Sequence, residues 1–286
     1  MIKSWLNPKL QEKIVFASLF LSTLIIVIPV ILVVAVIVAR GSSVLSFEFL
    51  TSMPRMGMKA GGIFPAIVGT FYLVVGTLIF ALPVGIFCAI YLSEYSKRNL
   101  LTRVIELAIV NLAGVPSVVY GLFGLGLFVV FLKMGASILA GSLTLAVMVL
   151  PVIITASREA LQSVPKSFRE VSYSLGATRW QTIRHAVLPH ALPGILTGTI
   201  LSLSRAAGET APILFTVAAF YLPRLPQSIF DQAMALPYHL YVLSTQVPNV
   251  RLELQYGTAL VLVGLIVMTN LVAVVIRSYF RSRKQW

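Results

Sequence analysis

The chain has 286 residues, 58% of them hydrophobic and only 11% charged, with a mean hydropathy of +0.94. A soluble domain carries about 25% charged residues, so this composition excludes a water-soluble globule and requires lipid to cover the apolar surface. The net charge of +13 would suit nucleic acid, but Lys and Arg fall in short loops and at the ends rather than in one cluster, as charge does that sets membrane topology or meets lipid headgroups.

A helix of about 20 apolar residues crosses a bilayer core, and six stretches are long enough. Residues 14–39 come first and are too long for the core of a signal peptide, so they read as an uncleaved span. Residues 62–92 are over-long and predict a tilted helix. Cys88 lies in that run as a buried thiol, with no second cysteine to pair with. The remaining spans are 104–132, 137–157, 191–220 and 257–280. The expected fold is therefore all-α, an integral membrane protein with six transmembrane helices. Residues 1–61 hold an N-terminal segment, the first span and an outer loop, and 62–286 form the core.

Basic residues orient these spans. With both termini in the cytoplasm, the inside segments collect Lys3, Lys9 and Lys13, then Lys97, Arg98 and Arg103, then the basic residues of 158–190 and of the C-terminus. The outside segments hold only Arg40, Arg55, Lys59, Lys133, Arg224 and Arg251. The excess predicts cytoplasmic termini. Segments 40–61 and 221–256 then face outward. The second carries Pro223, Pro226, Pro237 and Pro248 and reads as short turns and helices, either an outer gate or a plain connector.

The longest inside segment, 158–189, is the most informative. Pro165 opens a helix in its first turn and Gly176 closes it in a left-handed cap. Thr178 with Gln181 three residues on predicts a capping box, so a second helix starts at once. The result is a helix, a sharp turn and a helix, with Leu175, Trp180 and Ile183 available as apolar contacts for a soluble partner.

The fifth span carries the only two charges deep in an apolar stretch. Arg205 lies about 21 Å along the helix from Ala191, and Glu209 about 6 Å beyond. A spacing of four puts both on one face. A central Arg costs at least about 2.5–3.5 kcal/mol in lipid and should face protein or water. Beside this row, Gly194, Gly198, Ser202, Ala206 and Thr210 recur every four residues, a ridge suited to close helix contact. The charges are therefore expected to point into the bundle. Ala113, Ser117 and Gly121 form a shorter ridge in the third span, a candidate facing helix. Arg205, Glu209, Ser202 and Thr210 are the candidate substrate path.

Other chemistry has no footing. There is no Gly-rich phosphate loop, no Gly-x-Ser-x-Gly elbow and no His-Glu-x-x-His helix. His185, His190 and His239 have no metal-ligand grouping. An ATPase, a metalloprotease and a serine hydrolase lack their motifs. An intramembrane hydrolase and an ion-coupled secondary transporter remain as other classes.

Glu170, Gly176, Leu188 and Pro189 stand at the spacing of the EAA loop of binding-protein-dependent ABC importers, which this segment resembles. Val171 and Ser172 replace its two alanines, and Ala186 its isoleucine. Ser204–Thr216, Gly114–Phe123, Gly61–Thr70 and Leu236–Thr245 closely resemble phosphate-importer permeases of the PstA type. The Ala-Pro after Gly-Glu-Thr favours that type over the related PstC type. The resemblance implies a type I ABC importer permease fold and import of inorganic phosphate across the bacterial inner (plasma) membrane. Sulfate, molybdate or tungstate are alternative cargoes. It implies a PstC-type permease as heterodimer partner, two nucleotide-binding ATPase subunits and a periplasmic or extracellular phosphate-binding protein. No cofactor is expected on this chain, with ATP and Mg on the ATPase. Glu170, Leu175, Gly176, Trp180, Leu188 and Pro189 are expected to couple the spans to that ATPase.

Overall fold

The computed structural model describes residues 8–97 and 99–282. Lys3, Arg98, Arg283 and Lys284, used above to orient the chain, lie outside them. Among the described residues, five helices are long and apolar enough to cross a membrane: α1 (Pro8–Gly41), followed by the short α2 (Phe47–Thr51), then α3 (Phe64–Ile90), α6 (Ile138–Gln162), α9 (Leu188–Gly208) and α12 (Leu252–Ser282), α2 not being one of the five. A bent pair, α4 (Leu100–Ala113) and α5 (Ser117–Gly124), whose axes differ by 104°, makes the sixth when counted as one broken span.

The bend and two span boundaries differ from the hydropathy reading, and proline explains two of these differences. Pro116 lacks the N–H that would continue α4, and its ring disfavours helix in the residue before it. The chain leaves α4 at Gly114, and the Tyr120 hydroxyl donates to the freed Leu112 carbonyl at 2.7 Å. Pro212 acts likewise on the fifth span. Its ring would clash with the carbonyl four residues back, Gly208, and α9 ends there. Glu209 is extended, and a short helix, α10 (Ala211–Thr216), follows. The fifth span therefore stops well before residue 220. At its other end it starts early, because α8 (Arg179–Thr182) runs through a wide π-helical turn into α9.

α6 lies at the centre, packed on both α3 and α9, which also meet each other, while α12 packs on α9 and α1 on α12. Lipid tails are as apolar as Leu, so hiding apolar surface gains little here and close fit must hold the helices. The ridge of the fifth span supplies that fit. A Cβ on Gly194 would come within 2.7 Å of the Ala160 Cβ, and one on Gly198 would collide with Ala156. The ridge thus meets α6 rather than the third span. Gly121 instead sits against Pro212 and Phe215 of α10. α1 is peripheral, and none of its most apolar stretch is buried by the rest of the chain.

The segment after α10 folds back into the bundle instead of crossing over its surface. The first N–H groups of α6 have no partner within their helix. Ser137, Ile138 and Leu139 N–H donate to the carbonyls of Thr216, Asp231 and Ile229 at 2.9 Å each. Ala233, Met234 and Leu236 are buried, and Leu236 N–H donates to the Thr70 hydroxyl at 2.8 Å. In the helix that follows, α11 (Leu236–Thr245), His239 is buried and its Nδ1 has no hydrogen-bond partner. Burial disfavours its charged form and pushes its pKa down to about 4.

Candidate functional site

Two groups of residues carry candidate function, one at the far end of α9 and one on the 158–189 segment. On α9, Arg205 Nε donates to Glu209 Oε1 at 3.4 Å. The pair forms although Glu209 lies past the helix end, since its extended backbone turns the carboxylate back. The Arg205 side chain is 56% exposed and that of Glu209 17%. Arg205 therefore points away from this chain's own helices rather than into them, while Glu209 is largely covered by them. Ser202 is on the opposite footing: it is buried, and its hydroxyl donates to the Gly198 carbonyl at 2.8 Å. Thr210 is half-buried in the break between α9 and α10. Of the four candidate path residues, the structure pairs Arg205 with Glu209 and buries Ser202.

Arg205 continues an open strip. Leu201, one turn below, is 52% exposed. Below it a cleft of about 420 Å³ is lined by Ala156, Ala160, Gly194, Thr197 and Leu201, with Glu159 and Arg277. A guanidinium presents a fork of donors that fits an oxyanion and keeps its charge at every relevant pH. A carboxylate beside it can pair with it when no anion is present.

The 158–189 segment forms the predicted helix–turn–helix. α7 (Lys166–Ser174) starts directly after Pro165. Gly176 has φ +80°, the left-handed region that glycine enters without strain. Its N–H donates to the Tyr173 carbonyl at 2.9 Å and Ala177 N–H to Ser172 at 3.2 Å, the two bonds of a Schellman cap. The Thr178 hydroxyl and the Gln181 side chain cap each other's backbone N–H groups at the start of α8. Leu175, at 82% exposure, and Trp180 stand out at the tip, beside exposed Val171 and Tyr173. Glu170 is also exposed, whereas Leu188 and Pro189 open α9, Leu188 packing on the core. Ile183 is not available to a partner: it is fully buried among Ile154, Leu161 and Val187.

Two ion pairs at this end escaped sequence reasoning. Glu106 and Arg158 join α4 to α6 at 2.6 Å. Glu94, in the π-helical turn 91–95 after α3, pairs with Arg169 of α7 at 2.7 Å, with both side chains largely buried. A Glu at the end of an apolar run was the only available signal, and it names no partner 75 residues away.

Residues 81–285 match the family model described as "Binding-protein-dependent transport system inner membrane component". "Probable ABC transporter permease protein YqgI" of Bacillus subtilis (strain 168) is 33% identical over 94% of this chain and 95% of its own length. "Phosphate transport system permease protein PstA 1" of Mycobacterium tuberculosis (strain ATCC 25618 / H37Rv) is 33% identical over 98% of this chain and 92% of its own. Among solved structures, a bacterial alginate ABC transporter superposes with TM-score 0.64 over 96% of this chain and 95% of that one, at 16% identity.

Proposed function

The chain belongs to the family of binding-protein-dependent transport system inner membrane components, and from that premise we propose that it is the permease subunit through which an ATP-driven importer moves inorganic phosphate. One observation carries the reading: Arg205, in the last turn of α9, is more than half exposed on the outside of its own helix bundle, in line with exposed Leu201. An Arg facing lipid on a crossing helix is costly. The cost vanishes if a second permease closes over the strip and leaves water between the two chains. The relative named as a phosphate transport permease supports phosphate as the anion. The partner chain is a homologous permease of the PstC type. The exposed tip of Leu175, Gly176 and Trp180 docks one of two ATPase subunits, which hold the ATP and Mg. A binding protein delivers phosphate from outside.

The test is uptake by the purified chain in vesicles with its homologue, the ATPase and the binding protein. ATP-dependent phosphate uptake that excess sulfate does not suppress is expected. Uptake of sulfate or molybdate in preference to phosphate would reassign the cargo, and uptake driven by an ion gradient without ATP would overturn the reading.

Orientation follows from the basic residues, with both termini and the docking tip in the cytoplasm. Cysteines placed at Ser43 and Ser228, in a Cys88→Ser background, should react with an impermeant thiol reagent in spheroplasts, and one at Ser167 should not. The reverse pattern would invert the topology.

A further inference from the structure

Leu175 and Trp180 stand exposed at the docking tip, so motion received there leaves through the base of the α7–α8 unit. One route is continuous backbone: α8 runs through the turn 183–187 into α9. α6 reaches α7 through the three-residue link 163–165 rather than as one helix, and α3 has no neighbouring backbone link to the tip. Arg169 bridges that gap. Its Nε donates to Glu94 Oε2 at 3.1 Å and its Nη2 to Glu94 Oε1 at 2.7 Å, a forked pair with the end of α3. Nη2 also donates to the Leu161 carbonyl and Nη1 to the Val164 carbonyl, each at 2.9 Å, at and just beyond the end of α6. One side chain of α7 thus holds two spans at once. The Ser93 hydroxyl donates to the same carboxylate at 3.1 Å. Arg179 of α8 lies over the Tyr95 ring at 5.1 Å, a second grip on the same turn.

We propose that Arg169, through Glu94 and the end of α6, is the joint that carries movement of the docking unit to α3 and α6. A forked, largely buried charge pair suits that role, because it resists both sliding and rotation where a single apolar contact would allow either. Arg169 meets no substrate, so it acts as a positioning residue. The proposal rests on the reading of the tip as an ATPase dock.

Removing one charge would strand the other in a buried site, so the test removes both, in Glu94→Gln with Arg169→Gln. Phosphate transported per ATP hydrolysed is measured in the reconstituted complex. That ratio should fall about tenfold, the size of an ordinary coupling energy, while the ATPase still copurifies and its basal rate holds. Glu94→Asp keeps both charges but is too short for the fork, and should show a smaller loss in the same ratio. If the double variant is poorly folded, Glu94→Asp decides. A wild-type ratio in a folded variant, with only yield or thermal stability lowered, would make the pair purely structural and overturn the proposal. A wild-type chain that copurifies with no ATPase would instead overturn the functional reading beneath it.

Discussion

Arg205→Gln is expected to abolish phosphate uptake in a complex that still assembles. The change removes little of what holds this chain together. The side chain is more than half exposed and its ion-pair partner is Glu209, at 3.4 Å, and pairs of that exposure contribute little to stability. For an anion crossing between two chains, the loss is of another size. A phosphate stripped of part of its water needs a fixed charge and a fork of donors, and Gln keeps neither. Truncating one partner of a desolvated charge pair costs about 2–5 kcal/mol, so uptake should fall by at least about thirtyfold. Basal ATPase activity should persist, because the dock lies on the other end of the fifth span. Arg205→Lys keeps the charge without the fork and should retain part of the uptake. Near-normal uptake by an assembled Arg205→Gln complex would sink the assignment of this strip to the path. Reduced yield with normal transport by what does assemble would make the pair a brace for the break at Glu209. Glu209 adds selectivity in this scheme: it can accept a hydrogen bond from the protonated oxygen of hydrogen phosphate, which sulfate at neutral pH lacks.

Gly176→Val should uncouple the importer by a different route. Nothing lies within 4 Å of where a Cβ would stand, so no clash opposes the substitution. The backbone does: φ is +80°, and a β-branched residue there costs of order 1–3 kcal/mol. The chain can relieve that strain by giving up the cap bonds to Tyr173 and Ser172, which would swing Leu175 and Trp180 out of register. Membrane insertion and the spans should survive, because Leu175 is exposed and Gly176 stands in open space. Uptake should drop severely, while Gly176→Asn, which tolerates the left-handed region, should stay close to wild type. A correctly inserted Gly176→Val protein with normal ATP-driven uptake would argue that the turn's shape does not matter to coupling.

Much of the candidate site was legible because its causes are local. Thr178 and Gln181 cap each other across three residues, and Gly176 needs only its own φ and the two bonds beside it. Hydropathy found the crossings for the same reason, since each run of apolar residues meets lipid by itself. Arg205 stood out against its own neighbours.

What sequence by itself determined, then, is what a few adjacent residues can enforce: an all-α membrane chain, the helix–turn–helix and a pairing of Arg205 with Glu209 four residues on. Tertiary structure decided the rest, because it depends on which distant groups meet. Pro116 and Pro212 were visible, but only the folded chain showed that one stands at a 104° bend between α4 and α5 and the other ends α9 at Gly208. The small ridge fitted any neighbouring helix, and α6 took it through Ala156 and Ala160. With that face occupied, Arg205 was left on the open side of the bundle rather than inside it. Ile183 had the composition of a docking residue and became core. Glu94 and Arg169 show the limit most clearly: a buried charge must find its opposite, but the one it finds is fixed by how three helices converge.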